Sequence, residues 1–276
     1  MEKKSSTKSR RTLSRRHSAK PRRSRSNLGR HVRRREVDTI VVASDIHFPK
    51  HNTKLWESFV AYVNDLAPDK LVLAGDIIDL GALSRFPMRR DENLDIGLEF
   101  STAVREIARL EVAEKYCLPG NHESRWRGIL ADKAPFLKNC LGLSLADQFR
   151  MHGLNDVRWV FETPTSHGLF LGHGNSLTLI RHGDHQFKLA PKHVASIMLS
   201  KTPHVNQLIG HTHRAQLHCH TSLGRTVWAI SNPTMQCPQD YDKDPNWQLG
   251  FTVLRFFDGG VTPQIILANE SGEFSA

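Results

Sequence analysis

Five short motifs in the sequence place residues that bind metal ions directly after apolar runs. The motifs are D-I-H (45–47), G-D-I-I-D-L-G (75–81), G-N-H-E (120–123), L-G-H-G (171–174) and G-H-T-H (210–213). They offer two carboxylates, one amide and four imidazoles as ligands: Asp45, Asp76, Asn121, His47, His173, His211 and His213. A mixed oxygen and nitrogen set without a thiolate suits Mn, Fe, Zn, Co or Ni.

The size of this ligand set indicates two metal ions rather than one. A single tetrahedral zinc takes four ligands, whereas seven are about right for two ions that share a bridging carboxylate. Two ions about 3.5–4 Å apart stabilise the attacking and leaving oxygens of a phosphoryl displacement and make hydroxide from a bound water. The motifs therefore predict hydrolysis of phosphoesters with two divalent ions as cofactors, and Mn is the expected metal.

Metal ligands must be held rigidly, and the ends of buried strands provide such positions. The apolar runs predict strands that end at the five motifs: 37–44, 70–75, 115–120, 168–172 and 207–210. Apolar residues at helical spacing predict a helix over 53–66, which completes a β-α-β unit with parallel strands. Ligand sites in open α/β sheets form beyond the carboxyl ends of the strands. We therefore expect all five motifs to meet in one crevice.

Each motif taken alone has a simpler structural explanation. Asp45 and His47 could bond to loop backbone, G-D-x-x-D could form a turn and a helix cap, and His122 could be an ordinary surface histidine. The repeated order of apolar run, glycine and polar residue favours a shared metal site over five unrelated features.

Together the motifs resemble those of the calcineurin-like metallophosphoesterase superfamily, over about residues 38–214. This resemblance implies an α/β fold, a two-sheet sandwich flanked by helices, which is the metallo-dependent phosphatase fold. It implies the following ligand sets: Asp45, His47 and His213 for one metal, Asn121, His173 and His211 for the other, and Asp76 as the bridge. It also implies that His122 is catalytic, contacting the phosphate and protonating the leaving oxygen, which suits an imidazole beside a dication.

Three further residues within or next to the motifs are candidates for support of the ligands or for substrate contact. Asp79 would support the ligands from behind or cap a helix. Glu123 would do the same or lie as an acid at a helix N-terminus, and Arg125 would clamp a substrate phosphate.

The sequence departs from the resemblance at two places. Phe48-Pro49 stands where many members have glycine after the first histidine, and Leu80 stands where the protein Ser/Thr phosphatases have arginine. These departures argue against a protein phosphatase and leave the substrate open.

The first 36 residues differ sharply in composition from the rest. They hold 15 Lys and Arg against Glu2 and Glu36, a net charge of +13, whereas residues 37–276 hold 23 basic and 26 acidic residues, a net charge of −3. A segment so rich in Ser and Arg and so poor in apolar residues is predicted to be disordered. Such arms contact nucleic-acid phosphates, but a solubilising tail or a transit peptide has the same composition. The predicted organisation is a basic tail over 1–36 and a metallophosphoesterase domain over 37–276.

Three functions fit these features. The first is metal-dependent hydrolysis of a phosphomonoester or phosphodiester; the second is a Mn-dependent DNA or RNA nuclease that binds its substrate through the tail; the third is a non-catalytic scaffold that binds nucleic acid. No apolar stretch is long enough for a membrane span, so no membrane partner is expected. Four cysteines without C-x-x-C spacing favour a cytoplasmic location. Oligomeric state is left open.

Overall fold

The computed structural model of the chain describes residues 38–85, 95–137, 140–161, 168–183, 193–238 and 246–274. The predicted basic tail over 1–36 lies outside the described residues. The described residues form five α-helices: α1 Thr53–Leu66, α2 Ile96–Ala108, α3 Asn121–Lys133, α4 Leu145–Met151 and α5 Val194–Lys201. None of these helices has the length and apolar character needed to cross a bilayer.

The strands of the described residues form two sheets. The strands are β1 Asp38–Ala43, β2 Lys70–Ala74, β3 Glu114–Leu118, β4 Val157–Trp159, β5 Leu169–Leu171, β6 Thr178–Arg181, β7 Asn206–Ile209, β8 Gln216–Ser222, β9 Arg225–Ser231, β10 Gly250–Phe257 and β11 Gly260–Leu267. The first sheet has the order β11-β10-β1-β2-β3-β4, and the second has the order β5-β6-β7-β9-β8. Strands β1 to β4 are parallel to one another, as are β6, β7 and β9. Each sheet therefore has one edge at which the carboxyl ends of its parallel strands lie.

The two sheets pack face to face, and helices cover their outer faces. Alternate residues of β1 point to opposite sides because side chains in a strand alternate. Ile40 and Val42 lie in a cluster with Leu208 and Ile230 of the second sheet, whereas Val41 and Ala43 pack against α1, α2 and α4. Helix α5 covers the outer face of the second sheet. This arrangement confirms the predicted two-sheet α/β sandwich.

Helix α1 forms as predicted, with the bounds given by its sequence pattern. Asn52 caps its N-terminus by accepting a hydrogen bond from Leu55 N at 3.0 Å, and Ala67, with φ of 45°, ends it. The apolar face of Trp56, Phe59 and Val63 is buried. Because α1 connects β1 to β2 on one face of the sheet, the two loops that leave these strands lie side by side.

Not every strand that ends at a predicted motif runs in the same direction. Strand β5, which precedes His173, is antiparallel to β6, and β6 is parallel to β7. The carboxyl end of β5 therefore lies at the opposite edge of the sheet from the carboxyl ends of β6 and β7. The expectation that all five motifs meet in one crevice is wrong for L-G-H-G (171–174), and β6 was not predicted.

The packing between the sheets predicts where truncation destabilises the fold. Leu208→Ala removes a fully buried side chain from the inter-sheet cluster and should lower the free energy of unfolding by about 2–5 kcal/mol. Leu217→Ala on β8 is the matched control, because that side chain is 50% exposed, and its cost should stay below about 1 kcal/mol. Urea unfolding of both variants measures the difference, and equal losses would contradict this account of the core.

Candidate metal centre

The loops after β1 and β2 are joined by backbone hydrogen bonds. Asp45 N donates to Gly75 O at 3.0 Å, His47 N donates to Asp76 O at 2.9 Å, and Phe48 N donates to Ile77 O at 2.8 Å. Backbone hydrogen bonds thus connect the two loops beyond the ends of the paired parallel strands. The consequence is that Asp45, His47 and Asp76 are held at fixed positions relative to one another.

One cluster of candidate ligands contains Asp45, His47 and His213. Ligand atoms of the three residues lie within 4.8 Å of one another, and His213 Nε2 lies 3.2 Å from Asp45 Oδ1. The backbone N–H of His211 donates to both carboxylate oxygens of Asp45, at 2.9 and 3.0 Å. The structure therefore brings together the three residues that the family resemblance implies for one metal.

A second cluster contains Asp76, His211 and a histidine that the sequence analysis missed, His182. Ligand atoms of these three residues also lie within 4.8 Å of one another. His182 Nε2 lies 3.2 Å from Asp76 Oδ2 and 3.1 Å from Asn121 Oδ1. On the other side of the ring, His182 Nδ1 donates to Ala74 O at 3.0 Å. That bond leaves Nε2 facing the two oxygens, as in histidines that bind metals. Although burial opposes it, the charge on Asp76 raises the pKa of His182 to about 10, so the ring holds a proton on Nε2 that a bound metal ion would displace.

His173 does not join this cluster. It is exposed and borders a surface cavity of about 320 Å³ with Asp38 and Lys70. Those two residues begin β1 and β2, so His173 lies at the edge of the sandwich opposite to the two clusters. The physical reason is the antiparallel direction of β5. The signal for His182 was available, because Arg181-His182-Gly183 follows the apolar pair Leu179-Ile180.

Five of the clustered residues have positive φ angles, which residues other than glycine rarely adopt. The φ values are 55° for Asp45, 56° for His47, 49° for Asp76, 71° for His211 and 58° for His213. Asp and His enter this left-handed region more readily than most residues, yet each case costs on the order of 1 kcal/mol or more. The left-handed residues lie in the loops that follow β1, β2 and β7, where the chain leaves the strand direction and the clustered side chains meet.

Glu123 fixes the backbone that carries Asp76. It is fully buried, and its carboxylate accepts four backbone N–H bonds. Oε2 accepts from Asp76 N at 3.0 Å and from Gly120 N at 2.7 Å, and Oε1 accepts from Ile77 N at 2.7 Å and from Ile78 N at 3.0 Å. Burial and the charge on Asp76 raise the pKa of Glu123, while these hydrogen bonds oppose the rise. Glu123 thus ties the start of α3 to the loop after β2 and does not reach the clusters.

Asp79 lies behind His47 rather than at a helix cap. Asp79 Oδ1 is 3.3 Å from His47 Nδ1, and Asp79 Oδ2 pairs with Lys50 Nζ at 2.8 Å. Although burial alone would raise the pKa of Asp79, its contacts with His122, His47 and Lys50 lower it far below the usual range. Asp79 is therefore an ionised carboxylate that orients the His47 ring.

His122 and Arg125 lie side by side at the border of the clusters. His122 Nδ1 donates to Asp79 O at 2.5 Å, and Arg125 Nη2 lies 2.9 Å from His122 Nε2. Arg125 Nη1 also donates to Asp79 O at 2.9 Å, so its guanidinium is anchored. Although burial alone would lower the pKa of His122, Asp76 and Asp79 raise it against the opposing charge of Arg125. Both side chains are half-buried and lie where a phosphate could reach them.

The segment after β9 supports the Asp45 loop from beneath. Thr234 Oγ1 donates to Asp45 O at 2.9 Å, and Met235 N donates to the same oxygen at 3.2 Å. Asn232 Nδ2 donates to Ser44 Oγ at 2.9 Å, and Thr252 Oγ1 donates to Asn232 Oδ1 at 2.6 Å. This buried polar network connects β10 of the first sheet with β9 of the second directly below the first cluster.

The donor atoms of the site suit metal ions. Nε2 of His47 and Nδ1 of His213 are buried and have no hydrogen-bond partner among the described residues. Such groups are costly unless a partner satisfies them. Burial and the charge on His122 lower the pKa of His47 to about 4, which keeps its ring neutral, the form that coordinates metals. Although burial opposes it, His213 lowers the pKa of Asp45 and His182 lowers that of Asp76, so both are anionic.

Comparison with known proteins agrees with this geometry. The family model of the calcineurin-like phosphoesterases matches residues 38–244, which include every residue of the two clusters. The chain belongs to the calcineurin-like phosphoesterase family. It is 24% identical to the gene 54 protein of Mycobacterium phage D29 over 248 residues, covering 82% of this chain and 92% of that protein.

Solved structures of similar fold include two from cellular organisms. Vps29 of Chaetomium thermophilum is 9% identical with a TM-score of 0.47, and 86% of this chain and 94% of that chain are covered. YfcE, a phosphoesterase from E. coli, is 16% identical with a TM-score of 0.40, and 82% of this chain and 98% of that chain are covered.

The glycine of the family's G-N-H-E motif has a steric reason that yields a prediction. A Cβ at Gly120 would lie 2.2 Å from Asp76 Oδ1 and 2.4 Å from Asp76 N. Gly120→Ala should therefore displace Asp76 and lower the kcat/KM of phosphoester hydrolysis by about 100-fold, the cost of an ångström-scale misplacement at a reacting centre. Steady-state kinetics with Mn²⁺ measures the loss.

The same helix supplies the control. A Cβ at Gly128 would meet nothing within 4 Å, so Gly128→Ala should keep full activity and raise the free energy of unfolding by up to about 1 kcal/mol. Retained activity in Gly120→Ala would show that Asp76 does not depend on this close approach.

Proposed function

We propose that the protein is a dinuclear metal-dependent phosphoesterase that hydrolyses phosphomonoesters or phosphodiesters. Membership of the calcineurin-like phosphoesterase family makes it a metal-dependent hydrolase. The observation that supports two metal ions is the position of Asp76 Oδ2. This oxygen lies 3.2 Å from His182 Nε2 of one cluster and 3.7 Å from His47 Nε2 of the other. One carboxylate between two sets of imidazoles is the arrangement that a bridging ligand requires.

In this proposal each cluster holds one divalent ion, and Mn²⁺ is the expected metal. The ligand sets are Asp45, His47 and His213 for the first ion, Asn121, His182 and His211 for the second, and Asp76 for both. When bound, two such ions lower the pKa of a water molecule and neutralise charge on phosphoryl oxygens. The buried nitrogens of His47 and His213 that have no hydrogen-bond partner support this assignment.

The protein's own residues bind the phosphate and move a proton. Arg125 is fixed by the carbonyl of Asp79, so its guanidinium is ready to donate to a phosphate without losing further side-chain freedom. His122 lies beside it, with Nδ1 held by Asp79 O and Nε2 towards Asp76. A phosphate that separated the two groups, which lie 2.9 Å apart, would accept hydrogen bonds from both. His122 Nε2, once protonated, would then give its proton to the leaving oxygen.

The assignment of His182 in place of His173 gives the most direct test. His182→Ala removes a ring that lies between Asp76 and Asn121 and should lower the affinity for the second ion by at least about 100-fold, with loss of hydrolysis of p-nitrophenyl phosphate and bis-p-nitrophenyl phosphate. His173→Ala is the matched control and should change neither quantity. Calorimetric titration with Mn²⁺ measures the number of ions bound, and the chromogenic esters report turnover.

Two results would sink parts of the proposal. Loss of one ion in His173→Ala with none lost in His182→Ala would reverse the ligand assignment. Wild-type protein that binds two ions but hydrolyses neither ester would favour the non-catalytic scaffold.

A second candidate function, a Mn-dependent nuclease, is favoured by the charge of +13 on residues 1–36. Neutralising phosphates with Lys and Arg releases counterions, which makes binding steeply dependent on salt. Deletion of residues 1–36 should therefore weaken binding of DNA or RNA and flatten its salt dependence, while turnover of p-nitrophenyl phosphate stays unchanged. Fluorescence anisotropy of a labelled strand between 50 and 200 mM salt, about the range over which such contacts are lost, measures the first effect. Nucleic-acid binding that survives the deletion would remove this role from the basic segment.

A further inference from the structure

One of the five tryptophans is not part of the hydrophobic core. Trp56, Trp126 and Trp159 pack with the core against the first sheet, and Trp228 packs between the sheets. Trp247 belongs to none of the hydrophobic clusters of the described residues. Its ring neighbour is instead His213, a proposed metal ligand, at a centroid distance of 4.4 Å and an interplanar angle of 73°.

The backbone around Trp247 is fixed although its side chain is only half-buried. Gln248 N donates to His213 O at 3.0 Å, and Thr234 N donates to Gln248 O at 2.9 Å. Gln248 Oε1 also accepts from Ala215 N at 3.0 Å. The segment 246–248 is therefore bound on both sides to the loops that carry the first cluster. These backbone hydrogen bonds fix the position of the indole at the border of the proposed metal centre.

A large aromatic side chain is costly to expose to water. Among the five tryptophans, Trp247 packs least against the hydrophobic core. A planar ring carried by the substrate would supply the missing partner, because base–aromatic stacking is favourable with every nucleobase. Nucleotides and nucleic acids are the phosphoesters in which a planar ring lies one sugar away from the phosphate. Asn246, next to Trp247, is exposed; its Oδ1 accepts from Gln248 Nε2 at 2.9 Å, and its amide N–H groups can donate to the edge of a base.

From these positions we infer that Trp247 stacks on a nucleobase and that the substrate is a phosphoester of a nucleoside, free or within a single strand. This inference rests on the proposed phosphoesterase function. Trp247 is a specificity residue in this account: it binds the part of the substrate that does not react, and the metal ligands and His122 act on every phosphoester alike.

The experiment compares substrates that differ only in the base. Adenosine 5′-monophosphate, ribose 5-phosphate and a short single-stranded oligonucleotide are hydrolysed with Mn²⁺ by wild type, Trp247→Ala and Trp247→Phe. Trp247→Ala should raise KM about ten-fold for the substrates with a base and leave kcat and KM for ribose 5-phosphate unchanged. Trp247→Phe should restore most of the loss. Whether the nucleotide or the oligonucleotide shows the larger effect identifies the source of the base.

Two other outcomes would overturn the inference. An equal loss for adenosine monophosphate and ribose 5-phosphate would mean that Trp247 only holds His213 in place, and no loss for either would mean that it has no part in substrate binding.

A binding measurement separates failure of this inference from failure of the proposed function. Adenosine monophosphate should quench the indole fluorescence of the Mn²⁺-loaded protein, ribose 5-phosphate should not, and the quenching should vanish in Trp247→Phe but persist in the control Trp126→Phe. If wild type hydrolyses nothing, the proposed function fails, while the quenching still decides whether Trp247 binds a base. Quenching that persists in Trp247→Phe would reject the inference even in an active enzyme.

Discussion

The burial of two ionised carboxylates at one place is the constraint on which the rest of the structure depends. Asp45 is fully buried and Asp76 nearly so, and each raises the electrostatic cost of the other. Unpaired charges in a protein interior are too expensive to keep, so positive or polar partners must come from several directions. His213 and the His211 amide meet Asp45, whereas His182 and the His122 amide meet Asp76. These partners come from both sheets, so neither sheet can form the site alone.

The same constraint explains the strained loops and the buried Glu123. Asp45, His47, His211 and His213 all have left-handed backbone conformations in the loops after β1 and β7, where the chain leaves the strand direction at the site. Strain of this kind persists only where the surroundings hold it. Glu123 holds the loop after β2 through four N–H groups, and Thr234 and Met235 hold the loop after β1 through the carbonyl of Asp45. Buried Glu123 is thus tolerated because its carboxylate accepts hydrogen bonds from backbone N–H groups that would otherwise be unsatisfied.

The parts of the site that the sequence predicts correctly are those in which a motif directly follows one of the parallel strands. D-I-H, G-D-x-x-D, G-N-H-E and G-H-T-H each follow a parallel strand, so the side chains after them meet at the same edge without further information. His173 fails because an apolar run such as Leu169–Leu171 does not encode the direction of its strand. That direction depends on the pairing of β5 with β6, a contact set by the packing of the whole sandwich. Helix α3 was indicated only by Glu123, as an acid at a helix N-terminus, because its apolar face is weak. It is anchored by Glu123 and Trp126 rather than by a stripe of buried residues.

The centre of the site and its border are built from different parts of the chain, and this separation has a functional consequence. The proposed ligands lie at or just after strand ends, and all of them except His182 belong to the short motifs of the sequence. Arg125 depends on the carbonyls of Asp79 and Leu80, and Trp247 depends on a segment that enters from the start of β10. These border residues can change without disturbing the buried charges, because none of them carries the hydrogen bonds that hold Asp45 or Asp76. In the proposed function the metal chemistry therefore depends on the buried strand ends, and the choice of substrate depends on border residues such as Trp247.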